Sequence, residues 1–177
     1  TGMYRVRPGE QVRQTSSPSM DISKASNFER FIYDLTGRDA ARVKQLWQQA
    51  DRTGAFDLSS TSYFDRISEF GIVSGSSSHQ DRIATIRSVY RDSGQIVDTH
   101  TADGIKVGLE YREEGVPLIC AETALPAKFA DTIRAALGRE PDTPAGLENL
   151  ERQPQRYTVL EPDVIVVKDF IERSCGQ

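Results

Sequence analysis

VPLICAETALPAKFADTI, residues Val116 to Ile133, reads as three pieces. The apolar run Pro117 to Ala121 has the length and character of a short buried strand. Glu122 and Thr123 form a polar pair at its carboxyl end. Pro126 then opens an amphipathic helix with Phe129, Ile133 and Leu137 on one face and Gly138 as its stop. Strand, turn and helix make half of a βαβ unit, and in open α/β sheets ligands sit at the carboxyl ends of strands. Glu122 and Thr123 therefore stand where a ligand is expected.

Working outward, the rest of the chain is mostly helical in pattern. Phe28, Phe31, Ile32 and Leu35 recur at spacings of three and four, giving a helix over 24–36 closed by Gly37. Asp39 caps a second helix to about Arg52, with Val43, Leu46, Trp47 and Ala50 buried and Gly54 at its end. A third helix spans 60–70. A fourth spans 80–92, with the serines of GSSS as its caps and Ile83, Ile86, Val89 and Tyr90 inward. A fifth spans 99–114, with Ala102, Ile105 and Leu109 on one face. On the same helix, Gly104 and Gly108 are spaced for close packing against a neighbour. The polar, proline-rich REPDTPAGLENLERQPQR, 139–156, is a surface connection with one short helix. A last element starts at Pro162 or Asp163; Val164 to Val167 leaves helix and short strand both open. Further short strands are expected at 10–14 and 72–73.

The chain has 177 residues, a net charge of −4 and 37% hydrophobic residues. No basic cluster attracts nucleic acid. No apolar run approaches the roughly 20 residues that cross a bilayer. Cys120 and Cys175 lack framework spacing and read as free thiols in a reducing cytoplasm. Thr1 is not an initiator residue, and TGMYRVRPGE reads as the interior of something longer. Two to four short strands are also too few for a freestanding parallel sheet. Both observations lead to the expectation of a further portion elsewhere.

Familiar catalytic arrangements are weak here. Asp98-x-His100 places one histidine near one carboxylate, and a metal needs a third and fourth ligand. Cys120 lies in an apolar run where a thiol is inert. Ser17 and Ser19 flank Pro18 without the glycine frame of a hydrolase elbow. No Walker loop and no GxGxxG are present. From the residues alone, the reading is a helix-rich α/β chain with a ligand site near Thr123.

Three segments together resemble the threonine synthases: SSPSMDISKASNFERFIYDL (Ser16 to Leu35), DTHTADG (Asp98 to Gly104) and ETALPAKF (Glu122 to Phe129). The resemblance covers nearly the whole chain, but only the carboxyl-terminal portion of that family. Many members carry His where this chain has Leu125; the leucine form resembles one bacterial branch. The resemblance implies the carboxyl-terminal part of a fold type II pyridoxal-phosphate enzyme. Its parts would be a leading segment and hydroxyl-rich loop (1–23), a helical subdomain (24–93) and an α/β segment contributing to the cofactor domain (94–177). It implies conversion of O-phospho-L-homoserine and water to L-threonine and phosphate, a carbon–oxygen lyase reaction. The lysine that holds pyridoxal 5'-phosphate would lie in a missing amino-terminal portion, so this chain alone is expected to be inactive. A non-catalytic relative that binds a phosphorylated small molecule is the alternative.

By the same resemblance, Thr123 sits beside the pyridine nitrogen of the cofactor. A neutral hydroxyl there makes a weaker electron sink than a carboxylate would. Glu122, its neighbour in an extended segment, would point to the opposite face. Capping of the following helix is a second role for Thr123, compatible with the first. Ser17, Ser19, Arg30 and His100 are candidates for substrate contacts. For the serines, helix capping stands as the plain alternative; for His100, packing and hydrogen bonding do. No catalytic residue and no metal site is assigned within the chain.

Overall fold

The computed structural model describes residues 1–7 and 14–175. The expected strand at 10–14 lies mostly outside them. Two compact units divide the chain, Thr1–Asp142 and Thr143–Gln177.

In the first unit a short antiparallel ribbon pairs β1 (Met3–Arg5) with β2 (Ala55–Asp57), Tyr4 opposite Phe56. Periodicity cannot announce three-residue strands, and neither was expected. Tyr4 anchors the ribbon by stacking on Phe28, Trp47 and Phe56 at 5.2, 5.6 and 5.0 Å. At Gly2, φ is +75°, and a Cβ would lie 2.7 Å from the Ser59 backbone, so only glycine fits.

Helices α1 (Phe28–Leu35) and α2 (Ala40–Thr53) pack against this ribbon. Asp39 accepts the Arg42 N–H, and Gly54 ends α2 in the left-handed region, as their positions in the sequence suggest. Ile32, Leu35, Val43, Leu46, Trp47, Ala50, Phe56 and Leu58 form the core here. The third expected helix breaks into α3 (Ser62–Asp65) and a 3-10 turn at Arg66–Phe70. Ile72 and Val73 form no strand and are exposed.

A second core joins α4 (His79–Ser93), α5 (Thr99–Glu110) and α6 (Ala130–Leu137) through Ile86, Ala102, Ile133 and Ala136. Ser78 and Asp81 form a reciprocal capping box that starts α4. Pro126–Phe129 is a 3-10 turn, and the α-helix begins only at Ala130. Arg87 of α4 donates to the carbonyls of Ala135 and Ala136, satisfying orphan acceptors at the end of α6.

The expected strand at Pro117–Ala121 does not form. The residues do alternate: Leu118 and Cys120 lie towards Gly108 of α5, where a Cβ would come within 3.2 and 3.6 Å of them, while Ile119 is 89% exposed. Gly108 thus serves the close packing expected of it, whereas a Cβ at Gly104 would meet nothing within 4 Å. A strand is defined by a partner's ladder of hydrogen bonds, and none is offered to this run among the described residues.

In the second unit, α7 (Val164–Cys175) settles the choice at Val164–Val167 in favour of helix. Asp163 accepts the N–H groups of Ile165 and Val166, an N-cap that a strand could not use. Between Thr143 and Pro162 the single regular element is a 3-10 turn, Leu150–Arg152.

Candidate functional site

The amino-terminal half of α5 buries polar side chains where a helix of this length would ordinarily bury apolar ones. Asp98, Thr99, Thr101 and Asp103 are all buried, and Asp98 is 0% exposed. Asp98 is the N-cap, which explains why a carboxylate is tolerated there. Its Oδ1 accepts the His100 N–H at 2.8 Å and faces His100 Nδ1 at 3.1 Å. Its Oδ2 accepts the hydroxyl of Thr101.

The hydroxyl-rich loop closes over this helix end. The Ser19 N–H donates to His100 Nε2 at 3.1 Å. That bond makes Nε2 the acceptor, so Nδ1 carries the proton and donates it to Asp98. The Ser17 hydroxyl, fully buried, donates to Asp103 Oδ2 at 2.7 Å. Arg82 of α4 donates from Nε to both Asp103 oxygens, at 2.7 and 3.0 Å, and from Nη1 to Ser16 Oγ at 2.7 Å. Arg82 and Asp103 are 6% and 9% exposed at the side chain, so they form a buried ion pair. His79 Nδ1 lies 2.8 Å from the same Ser16 oxygen. The loop is further closed on itself by Thr15, bonded twice to Asp21.

Beside these groups opens a cavity of about 850 Å³ whose wall includes Thr15, Asp21, Ser77, Arg82, His100 and Asp103. Ser77 Oγ is buried without a hydrogen-bond partner among the described residues. The segment 74–77 is pinned to α5: Lys106 donates to the Ser76 carbonyl, Tyr111 to the Ser74 carbonyl, and Gly75 approaches Val107 more closely than a side chain would allow. A hydrogen bond to Glu110 holds the Lys106 ammonium above the usual lysine range.

Thr123 reaches the same helix end from the other side. Its N–H donates to Thr101 Oγ1 at 3.4 Å, while the residue itself is exposed. Phe129, in the turn that follows, meets the His100 ring edge-on at 4.9 Å. The structure therefore brings Ser17, Ser19, His100 and Thr123 to one end of α5, from three separated segments of sequence. Arg30 is not among them. It lies on α1 in a different groove, with Tyr33, Lys44, Trp47 and Asp51.

The sequence reading missed Arg82 and Asp103. A signal for Arg82 exists: it precedes Ile86 by four residues, so the capping box at Ser78 places both on the same inward face of α4. The Asp98-x-His100 spacing marks Asp98 only as a neighbour of His100, and nothing local indicates that it would be fully buried.

A profile described as "Threonine synthase, C-terminal" matches residues 101–171. A threonine synthase of Methylobacillus glycogenes is 54% identical over 97% of the chain. The chain is similar to the carboxyl-terminal part of the threonine synthases. The Corynebacterium glutamicum threonine synthase is 47% identical, again over 97% of the chain. Among solved structures, a pyridoxal-phosphate-bound threonine synthase from Brucella melitensis superimposes with a TM-score of 0.79 at 38% identity, covering 98% of the chain. The chain spans 36% of the length of each of these three threonine synthases. The fold described above is thus that of the carboxyl-terminal part of threonine synthases. No helix among the described residues is long and apolar enough to cross a membrane.

Proposed function

We propose that this chain forms the carboxyl-terminal wall of the active site of a pyridoxal-phosphate-dependent threonine synthase. The whole protein would convert O-phospho-L-homoserine and water to L-threonine and phosphate, as a carbon–oxygen lyase. The observation that carries this reading is the convergence of the three family-like segments on the amino-terminal end of α5. Ser17 meets Asp103, Ser19 meets His100, and Thr123 meets Thr101 there.

The residues fit one edge of the cofactor. Thr123 has its backbone tied to α5, and its hydroxyl makes no hydrogen bond among the described residues. An anchored, unspent hydroxyl suits a ring nitrogen that needs one neutral partner. When bound, pyridoxal phosphate supplies an electron sink, and a hydroxyl at its ring nitrogen leaves that sink weaker than a carboxylate would. His100 presents a neutral ring, fixed by Asp98, at the cavity wall. Ser19, exposed on the closing loop, has a hydroxyl with no hydrogen bond among the described residues, available to an anionic group of the substrate. Ser17 spends its hydroxyl on Asp103, so its role in this scheme is to hold the loop. Arg30, in its separate groove, receives no role. The lysine that carries the cofactor belongs, in this scheme, to an amino-terminal portion of the same protein. Free Cys120 and Cys175 are in keeping with a cytoplasmic location.

The test is phosphate release from O-phosphohomoserine by the full-length protein, with and without added pyridoxal phosphate, alongside detection of threonine. Cofactor-dependent formation of both products is expected. Phosphate release without threonine would refute the assigned reaction.

A further inference from the structure

Asp98 touches two neighbouring groups at the site, His100 and Thr101, and both of its oxygens are spoken for. Oδ1 faces the N–H and Nδ1 of His100; Oδ2 accepts the Thr101 hydroxyl. A hydroxyl has one proton to give. Thr101 gives it to Asp98, so towards Thr123 it has only lone pairs to offer, and it accepts the Thr123 N–H. A carboxylate is an acceptor only, which fixes the direction of both links. Asp98 and Thr101 are 0% and 5% exposed, so water is not at hand to substitute for either.

We propose that Asp98 is the positioning residue of this site, setting the polarity of the Thr101 hydroxyl and thereby the place of Thr123. The same carboxylate holds His100 in the tautomer that accepts from Ser19, so one buried group registers the hydroxyl loop and the Thr123 segment against each other. Asp98 touches no reacting atom in this scheme and acts through Thr101 and His100. The link to Thr123 as a cofactor contact rests on the proposed function; the link to the Thr123 backbone does not.

Asparagine in place of Asp98 reverses the pattern. Its amide nitrogen would donate to Thr101 Oγ1 and no longer receive the Thr101 proton, so the hydroxyl must turn to find another acceptor and its lone pairs turn away from the Thr123 N–H. The experiment uses the full-length protein, first without cofactor, and reads hydrogen exchange of the Thr123 amide. Asp98→Asn and Thr101→Val should each speed that exchange roughly fivefold to tenfold, the population change expected on losing one hydrogen bond. Thr101→Ser, which keeps the hydroxyl, should restore protection. The double variant Asp98→Asn/Thr101→Val should be no faster than the faster single variant, because both cut one chain of bonds. Thr101→Val leaves the Asp98–His100 bonds in place and so remains informative if Asp98→Asn does not fold. Unchanged exchange in a folded Asp98→Asn or in Thr101→Val, or independent and additive effects of the two substitutions, would overturn the proposal.

A second arm titrates pyridoxal phosphate into the same variants and into Thr123→Val. Weaker cofactor binding in all of them supports the chain from Asp98 to the cofactor. Faster exchange with cofactor binding unaltered, in Thr123→Val as well, supports Asp98 as positioner and counts against Thr123 as the cofactor contact.

Discussion

Thr123 has a fixed backbone and an unspent hydroxyl, so removing the hydroxyl tests chemistry and not folding. Thr123→Val keeps the shape of the side chain. At this exposed position it should change stability by no more than about 0.5 kcal/mol. Under the proposed role, the full-length variant should bind pyridoxal phosphate roughly tenfold more weakly, the value of one hydrogen bond. Titration of the cofactor absorbance checks the second expectation, thermal unfolding the first. Arg82 and Asp103 behave oppositely. Their charges are buried and satisfy each other, so deleting one partner strands the other. Arg82→Met should cost about 3–5 kcal/mol, and the double variant Arg82→Met/Asp103→Leu should recover most of it. Denaturant unfolding of the single and double variants would show it; equal stability of Arg82→Met and wild type would mean the pair is not buried as described.

The helices owe their ends to a few residues whose roles are local. Gly138 closes α6 at φ 70°, and a Cβ there would meet nothing within 4 Å. Gly138→Ala should therefore cost about 1 kcal/mol from backbone strain alone, with no steric part. The capping box of α4 depends on pH. The Ser78 side chain, and then its backbone N–H, bond the Asp81 carboxylate and hold its pKa below the usual carboxylate range. A group depressed in the folded state stabilises above its unfolded pKa and loses that contribution as pH falls through the folded value. Ser78→Ala should accordingly lower the melting temperature at neutral pH. The gap to wild type should narrow on acidification below the ordinary aspartate pKa. A gap that stays constant down to strongly acidic pH would exclude the carboxylate's share in the cap. Much at this scale was legible, because caps and glycine stops act within a few residues: Asp39, Gly54, the serines before α4 and Gly138 stand where the sequence put them. The run Pro117–Ala121 was not legible, because its alternation specifies an extended chain but not a neighbour to pair with.

Across the whole molecule, apolar side chains remain in water in both units. Val116, Leu118 and Ile119 do so in the first; Tyr157, Val159, Val164 and Ile165 do so in the second. Ile119→Ser should leave the thermal stability of this chain unchanged within about 0.5 kcal/mol, since at 89% exposure the side chain has almost no burial to lose. A marked drop in melting temperature would show that Ile119 packs after all. The sequence by itself determined the helical stripes, their caps and the three segments that mark the family, because each is written in spacings of a few residues. Only the tertiary structure decided that Asp98, Thr101 and Asp103 are buried, that Arg82 and not Arg30 reaches the cavity, and that Thr123 is held from α5. Those pairings join residues 21 to 86 positions apart, and no local pattern carries them. A buried polar group is affordable only where distant partners arrive together, so its place is fixed by the assembled fold.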